Sequence, residues 1–389
     1  MTDQQNPSSN LSRFLSLKDF ETAARRKLPR PIFGYVAGAA EDNKSHDANL
    51  SAFDDHAFVT RVLVDVSKRN QDVELFGRTY SAPFGIAPMG LSALSAYRGD
   101  IVQAKAAERV NIPMILSGTS LIPMEEVVAA APDTWFQAYL PGVPDRIDAL
   151  IGRVIDAGFK TLVITVDIPV SANRENNVRN GFSTPLRPSL GLAWDGVTHP
   201  AWLLGTFLRT FLKHGMPHFE NSFAERGAPI LSSNVLRDFT GREHLNWRTI
   251  EKIRQRWPGR LVIKGILSAP DAVMAQKIGA DGVILSNHGG RQLDGAVAPL
   301  RVLPAVADAV SLPVMIDSGF RRGSDVLKAL ALGARFVFVG RPFNYAAAVA
   351  GQAGVEHAVA LLKAEVDRNM AMLGVTSCAQ VDRGCLYQP

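Results

Sequence analysis

The sequence predicts a (β/α)8 barrel, because one strand–helix unit recurs along it. Eight short runs rich in Val, Ile, Leu and Phe lack the alternation of half-buried strands, which is typical of parallel strands covered on both faces. Helical patterns separate the runs, and several end in Gly-Ala or Gly-Phe immediately before the next run. The segments "AGFKTLVIT", "IGADGVILS" and "LGARFVFVG" resemble one another, which indicates a repeated unit.

The predicted strands follow one another at the spacing that such units require. They are "PFGIAPM" (83–89), "IPMILSG" (112–118), "TWFQAYL" (134–140), "TLVITVD" (161–167), "LVIKGI" (261–266), "DGVILSN" (281–287), "PVMIDSG" (313–319) and "RFVFVG" (335–340). A doubly wound open sheet is the alternative, and it would place a G-x-G-x-x-G fingerprint after the first strand. The segment "APMGLSALS" stands there instead, which favours the barrel.

Two segments lie outside the repeat. Residues 11–80 precede the first strand and contain two helical patterns and a predicted hairpin, and residues 171–243 interrupt the fourth unit. A long insertion at the C-terminal end of a barrel strand usually serves the active site. We expect a disordered tail over 1–12 and one barrel domain over 13–389, in which 180–240 forms an insertion that faces the active site and a membrane.

Composition excludes several classes of function. The chain has 42 basic and 37 acidic residues spread along its length, an imbalance too weak to indicate nucleic-acid binding. Its two cysteines, Cys378 and Cys385, have neither disulfide-framework nor metal-ligand spacing, so we expect a reducing compartment and no metal site. No run of about 18 apolar residues and no signal-peptide core occurs, which predicts a cytoplasmic protein.

Polar and charged residues collect at the predicted strand ends. In this fold the C-terminal ends of the strands surround one mouth, where the chemistry takes place. Each residue alone is more often a solvated rim residue or a helix cap, but their arrival at one mouth favours a catalytic site. The strands bring there Pro88, Met89, Gly90, Ser117, Gln137, Tyr139, Thr165, Asp167, Lys264, Ser286, His288, Arg291, Asp317, Ser318, Gly319, Gly340 and Arg341.

The seventh and eighth units carry a second signal. Their ends, "DSGFRRG" and "VGRP", lie where barrel enzymes commonly bind a phosphate with backbone N–H groups and a helix N-terminus. Gly319, Arg321, Gly340 and Arg341 suit that task, and the alternative is that the arginines are surface charges. The residues alone leave open a phosphorylated substrate or a bound flavin mononucleotide (FMN).

The stretch "SNHGGRQLDG" (286–295) resembles the active-site signature of the FMN-dependent L-2-hydroxy acid oxidase and dehydrogenase family. This family includes glycolate and lactate oxidases, flavocytochrome lactate dehydrogenases and mandelate dehydrogenases. Matching motifs run in order from "KLPRPIFGYVAGAAED" (27–42) to "DRNMAMLGV" (367–375). The resemblance implies FMN as cofactor, a small 2-hydroxy acid as substrate and a homotetramer.

The resemblance also assigns roles to individual residues. His288 matches the catalytic base and Asp167 the carboxylate that pairs with it. Arg174 and Arg291 match the two arginines that hold the substrate carboxylate, and Lys264 matches the lysine beside flavin N1 and O2. The tyrosines that hydrogen-bond the substrate correspond to Tyr35 and Tyr139. The other implied cofactor contacts are Pro88, Met89, Gly90, Ser117, Gln137, Thr165 and Ser286 near the flavin ring, and Asp317, Ser318, Gly319, Arg321, Gly340 and Arg341 near the ribityl chain and phosphate.

The chain departs from the family pattern at Met89, Ser318 and Thr119, which leaves the size of the substrate open. Rival interpretations are a flavin-dependent isomerase or nucleotide dehydrogenase, and a binding module without activity. A nucleotide dehydrogenase would need a cysteine in the mouth, and both cysteines follow the last strand. An inactive module would not keep every catalytic position filled.

The electron acceptor is the remaining question. The family implies quinone or another membrane acceptor, or alternatively O2 with release of H2O2 in a soluble oxidase. Gly90 and the insertion "THPAWLLGTFLRTFLKHGMPHF", which is similar to that of mandelate dehydrogenases, favour quinone.

Within 200–213 the apolar residues recur at helical spacing. They are Trp202, Leu204, Phe207, Leu208, Phe211 and Leu212. We expect this aromatic and leucine face to lie peripherally on the inner face of the cytoplasmic membrane. A lid on the barrel rim or a subunit interface is the alternative.

Overall fold

Eight parallel strands form a closed barrel in the computed structural model, which describes residues 11–232 and 241–388. The barrel strands are β3 (Phe84–Ile86), β4 (Ile115–Ser117), β5 (Trp135–Ala138), β6 (Thr161–Thr165), β7 (Arg260–Ile266), β8 (Gly282–Leu285), β9 (Val314–Ile316) and β10 (Phe336–Val339). The hydrogen-bonded order is β3-β10-β9-β8-β7-β6-β5-β4, and a parallel bridge between Ile86 and Met114 joins the two ends. The predicted (β/α)8 barrel is confirmed.

The described helices lie before, between and after these strands. They are α1 (Leu17–Lys27), α2 (Arg30–Ala37), α3 (Lys44–Ser51), α4 (Ser92–Ser95), α5 (Gly99–Arg109), α6 (Met124–Ala130), α7 (Pro144–Asp156), α8 (Glu175–Arg179), α9 (Leu190–Val197), α10 (Pro200–Trp202), α11 (Arg209–His214), α12 (Trp247–Arg256), α13 (Ala269–Lys277), α14 (Pro299–Ala309), α15 (Gly323–Ala331) and α16 (Arg341–Leu373). Every residue of β3, β4, β5, β6, β8, β9 and β10 is buried, since side chains fill the barrel and helices cover it.

The N-terminal extension closes the lower end of the barrel. Its hairpin, β1 (Val73–Leu75) and β2 (Arg78–Tyr80), is the one that the sequence predicts. The Phe76 ring at the hairpin turn lies 5.6 Å from the ring of Trp135, the first residue of β5. The open mouth is therefore at the opposite, C-terminal ends of the strands.

The extension contains three helices where two were predicted. The additional helix is α3, whose sequence "KSHDANLS" has little apolar periodicity. One continuous core of buried side chains extends from Phe14 to Leu386, and Leu11 packs against it, two residues before the predicted domain boundary. Residues 1–10 of the expected tail lie outside the described residues. The single-domain organisation stays a prediction, which the continuous core supports.

The insertion after β6 contains the helix that its periodicity predicts, but only part of the predicted apolar face is exposed. A π-helical segment (Leu203–Leu208) joins α10 to α11, so helical structure is continuous over 200–214. Trp202 is buried, and its indole N–H donates to the Leu94 carbonyl at 2.6 Å. Phe207 stacks on Trp202 and packs against the core, so these two aromatic rings face the protein.

Apart from Val178 on α8, the large exposed apolar residues that the structure describes in the insertion lie on two helices. Along α9 they are Leu190, Trp194 and Val197, and on the continuous helix they are Leu204, Phe211 and Leu212. None of the helices in the described parts of the chain is long and apolar enough to cross a membrane.

Candidate active site

A cavity of about 420 Å³ opens at the C-terminal ends of the strands. It is lined by all of the predicted site residues except Asp167, Ser117, Gln137 and Ser286. These four lie beside lining residues: Asp167 and Ser286 bond to His288, and Ser117 bonds to both Thr119 and Gln137. The structure therefore brings the predicted set to one place, with these four outside the cavity wall.

The loop after β8 turns sharply, and this turn positions His288. Three consecutive residues, His288, Gly289 and Gly290, have left-handed φ angles of 59°, 67° and 76°. A Cβ atom on Gly290 would lie 2.5 Å from the backbone nitrogen of His46. Only glycine combines that φ with so close an approach, and this explains the two glycines after the histidine.

Contacts with the N-terminal extension hold this loop. Asn287 and Asn49 exchange side-chain hydrogen bonds of 2.7 and 2.8 Å in a buried position, and Asn287 also accepts from the Gly290 N–H at 3.1 Å. The Asp294 carboxylate accepts from the backbone N–H of Ser45 at 2.8 Å. Helix α3 thus fixes the loop from outside the barrel, a function of the extension that the sequence did not indicate.

His288 lies between a carboxylate and a phenol. Its Nδ1 is 3.1 and 3.2 Å from the two carboxylate oxygens of Asp167, and its Nε2 is 3.2 Å from the Tyr139 hydroxyl. Because an ionised carboxylate only accepts, Nδ1 carries the proton and the lone pair is on Nε2. This arrangement presents a basic nitrogen next to the cavity.

The pKa directions agree with that assignment. Burial lowers the pKa of His288 below its usual value, and Lys264 and Arg174 add to the effect, although Asp167 opposes it. Burial alone would raise the pKa of Asp167, but the charge and hydrogen bond of His288 lower it below its usual value. At neutral pH the pair is therefore a neutral imidazole and a carboxylate.

Two arginines lie side by side in the mouth. Arg291 donates from Nη1 to the carbonyls of Tyr35 and Gly38, both at 2.7 Å, and its guanidinium carbon is 4.8 Å from the centre of the Tyr35 ring. Burial, with the nearby charge of Arg174, lowers the pKa of Arg291 to about 9, so it stays cationic at neutral pH. Two like charges in a partly buried site favour the binding of an anion between them.

Gln292 is a residue that the sequence reasoning missed. Its side-chain carbonyl accepts from Arg174 Nη2, and its amide donates to the Asp167 carbonyl at 3.1 Å. It therefore connects an arginine of the mouth to the strand end that carries the carboxylate. The available signal was its position in the loop directly after Arg291.

Lys264 is buried among polar groups. Its ammonium donates to Ser286 Oγ at 2.7 Å and lies 2.9 Å from Asp317 Oδ2. Ser286 Oγ also accepts from the His288 N–H at 3.0 Å, so Ser286 connects the lysine to the loop. Ser318, one of the positions that depart from the family pattern, also connects the site to the loop. Its hydroxyl donates to Asp317 and accepts from the Gly289 N–H.

The opposite end of the cavity is lined by Gly319, Arg321, Gly340 and Arg341. Helix α16 begins there, directly after Gly340, and helix N-termini attract anions. Arg341 donates to three backbone carbonyls at 2.9 to 3.1 Å, and burial lowers its pKa to about 10, so its charge persists at neutral pH. This end suits a phosphate.

The cavity also fits the ring of a flavin. Thr165 lines the cavity, and its buried Oγ1 has no hydrogen-bond partner among the described residues. An unpaired buried polar atom is costly, so it is best explained by a ligand with a polar edge. A Cβ on Gly340 would lie 2.9 Å from the Met89 sulfur, so the glycine allows the start of α16 to lie close to Met89. Together with the cationic end, these features match FMN.

The insertion contributes lining residues that the sequence reasoning did not name. Phe219 and the buried Arg242 line the cavity, as do Asn177, Val178 and Phe182, together with Val170 directly before the insertion. No repeat or motif marked these positions, because the insertion has no counterpart in the other units.

Comparison with known proteins gives consistent results. The family model described as FMN-dependent dehydrogenase matches residues 24–388. The chain is 38% identical to (S)-mandelate dehydrogenase of Pseudomonas putida over 360 residues, which is 92% of this chain and 90% of the relative. It is 39% identical to L-lactate dehydrogenase of Pseudomonas entomophila (strain L48) over 380 residues, 95% of this chain and 97% of the relative.

A solved structure extends the similarity to three dimensions. The crystal structure of the monotopic membrane protein (S)-mandelate dehydrogenase superimposes with a TM-score of 0.87 at 36% sequence identity. The match covers 96% of this chain and 99% of that chain.

The electrostatics of His288 predict its titration. Because its pKa is lowered, we expect the imidazole to stay neutral, with the proton on Nδ1, down to a pH below the usual histidine midpoint. In Asp167→Asn the midpoint should fall further, since the carboxylate that opposes the shift is gone. Nitrogen NMR of ¹⁵N-histidine-labelled protein measures the His288 midpoint in the parent and in Asp167→Asn. The His288 signal is assigned from its loss in His288→Asn. A midpoint above the usual value in the parent would contradict this charge state.

Proposed function

Because the chain belongs to the FMN-dependent dehydrogenase family, we propose that it oxidises an L-2-hydroxy acid to the 2-oxo acid and passes the electrons to a membrane quinone. The family and the FMN cofactor expected from the sequence are confirmed. Bound FMN supplies the two-electron acceptor. The observation that carries the proposal is the neutral His288 imidazole, paired with the Asp167 carboxylate and placed beside two arginines in one mouth.

The arginines orient the substrate. A 2-hydroxy acid is an anion, and the guanidinium groups of Arg174 and Arg291 can hold its carboxylate through charged hydrogen bonds. Holding one end of so small a molecule also fixes the position of its reacting carbon, which lowers the barrier. The names of the relatives, mandelate and L-lactate dehydrogenase, support substrates of this class.

His288 accepts the proton that the substrate loses. Its Nε2 has the lone pair, and Asp167 stabilises the imidazolium that forms. Burial raises the pKa of the Tyr139 phenol well above its usual value, so this group keeps its proton and can donate a hydrogen bond to the substrate. Tyr35, whose ring is packed under Arg291, is the second tyrosine that we assign to the substrate.

The remaining lining residues would hold the cofactor. Lys264 is placed to stabilise negative charge on the flavin, and its contact with Asp317 fixes its position. Arg321, Arg341 and the backbone at Gly319 and Gly340 would meet the phosphate. The ring would lie against Pro88, Met89, Gly90 and Thr165, with Ser117, Gln137 and Ser286 supporting this wall from behind.

We assign the exposed apolar faces of the insertion to a membrane surface. Leu190, Trp194 and Val197 recur at intervals of four and three residues along α9, and all are more than half exposed. Leu204, Phe211 and Leu212 form a second exposed group on the adjoining helix. Such faces mark an interaction site, and interfacial helices bury them in the lipid headgroup region.

The basic residues near this second group suit anionic lipid headgroups. Arg209 and Lys213 lie on the same helix, and His214 ends it. The related monotopic (S)-mandelate dehydrogenase supports a peripheral membrane contact. A membrane location in turn favours quinone as the acceptor over O2. The homotetramer stays a prediction.

The reaction and the arginine clamp predict a specific difference between substrates. Anaerobic addition of the correct L-2-hydroxy acid should bleach the flavin, whereas the matching 2-hydroxy amide should react roughly 10- to 150-fold more slowly, because a hydrogen bond to a charged group contributes about 1.5–3 kcal/mol. Stopped-flow absorbance at the flavin band measures kred/Kd for both, with the methyl ester as a second neutral analogue. Equal rates for acid and amide would contradict the clamp, and no bleaching by any 2-hydroxy acid would contradict the reaction.

The exposed faces predict membrane binding. The parent should sediment with vesicles that contain anionic lipid, and Leu204→Ser/Phe211→Ser/Leu212→Ser should remain largely in the supernatant with its flavin intact. The matched control is Leu15→Ser/Met372→Ser, which removes two exposed apolar side chains from elsewhere on the surface and should bind like the parent. A parent that stays in the supernatant, or a triple variant that still sediments, would contradict the membrane assignment.

A further inference from the structure

Two valines on the outer rim of the active-site cavity are unusually exposed. Val170 and Val178 both line the cavity, and their exposed fractions are 55% and 78%. Neither belongs to the arginine clamp or to the His288–Asp167 pair, which are more deeply buried. Contact with an apolar ligand would remove these side chains from water, which lowers the free energy.

The rim is connected to the clamp through an aromatic wall. The Phe182 ring lies 4.4 Å from the Tyr35 ring, and the Tyr35 carbonyl accepts from Arg291. Phe182 is buried and also lines the cavity. A flat ring that entered past the valines would therefore have an aromatic surface beside it on the way to the site of oxidation.

The rim and the face that we assign to the membrane are carried by helices that share a neighbour. Helix α8, which carries Val178, packs against α2, and α9, which carries Trp194, packs against the same helix. Helix α2 therefore connects the elements that carry the two exposed apolar groups. Asn177, next to Val178, lines the cavity and has an amide that can donate to a carbonyl oxygen.

We propose that the rim formed by Val170, Asn177, Val178 and Phe182 is the docking site of a lipid-soluble quinone. This inference rests on the proposed function, in which a membrane quinone is the acceptor. The apolar side chains contact the ring and the first part of its isoprenoid tail, the tail leaves along α2 towards the exposed face of α9, and Asn177 donates to a ring carbonyl. The quinone would take two electrons and one proton from the reduced flavin and a second proton from solvent, and it would leave as the quinol.

The test separates the oxidation of the flavin from its reduction. Enzyme that has been photoreduced in the absence of any hydroxy acid is mixed with ubiquinone-1 or with O2, and reoxidation of the flavin is followed by stopped flow. In Val170→Asn/Val178→Asn the second-order rate constant with ubiquinone-1 should fall about tenfold, since two apolar contacts are lost. The rate constant with O2 should not change, because O2 needs no such contact.

The asparagine variant is neutral, so it does not repel an anionic substrate. The control is Val62→Asn/Val273→Asn, which alters two exposed valines outside the cavity wall and should react like the parent with both acceptors. Val170→Thr/Val178→Thr keeps the side-chain shape, so it serves as a second variant in case the asparagine variant folds poorly. Its rate constant with ubiquinone-1 should also fall, while its rate constant with O2 and its FMN content stay normal.

The outcomes distinguish this site from the reaction itself. A rim variant that is reoxidised by ubiquinone-1 at the parental rate overturns the docking site, even if the parent oxidises hydroxy acids. A parent that reacts rapidly with O2 and not with ubiquinone-1 overturns both the site and the choice of acceptor. Failure of hydroxy acids to bleach the flavin affects only the proposed reaction, since no hydroxy acid is used here.

Discussion

The left-handed turn at the end of β8 is the constraint on which the active site depends. Three successive residues with positive φ reverse the chain within a few ångströms of helix α3, and only this path places the His288 ring between Asp167 and Tyr139. The turn is held by the buried Asn49–Asn287 pair and by Asp294, which means that residues outside the barrel determine the geometry inside it. The N-terminal extension is therefore part of the active site.

The second organising feature is an excess of positive charge around the cavity. Arg174, Arg291, Lys264 and Arg341 all line the cavity, and Lys264 is paired with Asp317. Burial lowers the pKa of Arg291 and of Arg341, yet both remain cationic at neutral pH. A cavity of this kind is stabilised by anions. The hydroxy acid carboxylate would occupy one end and the FMN phosphate the other, so the same charge distribution orients both ligands.

The barrel and the polar residues at its strand ends could be predicted from the sequence, because buried parallel strands are continuous apolar runs and their C-terminal ends meet at one mouth. The spacing of residues along the sequence could not show whether a side chain at a strand end faces the cavity or lies behind its lining. Ser286 belongs to the predicted cofactor set, but its hydroxyl is used by Lys264 and by the His288 backbone. Gln292 was missed because its importance comes from partners distant in sequence.

The insertion shows a different limit. Its helical spacing was correct, yet Trp202 and Phe207 pack on the protein while Leu204 and Phe211 are exposed. Apolar residues occur on more than one side of this helix, so periodicity cannot decide which side is buried. The π-helical segment over Leu203–Leu208 also changes the angle between successive residues, which shifts the exposed face from the one that an α-helical projection gives.

The central claim is that His288 is the base, and replacing it with asparagine tests this most directly. Among non-glycine residues asparagine is especially tolerant of a φ near the 59° observed at this position, so His288→Asn should keep the turn and the bound FMN while removing the basic nitrogen. The decisive measurement is the anaerobic rate of flavin reduction by saturating 2-hydroxy acid, in parent and variant. The account predicts a decrease of about 10²- to 10⁴-fold at unchanged FMN content. A variant reduced at nearly the parental rate would show that the proton goes elsewhere and would contradict the account.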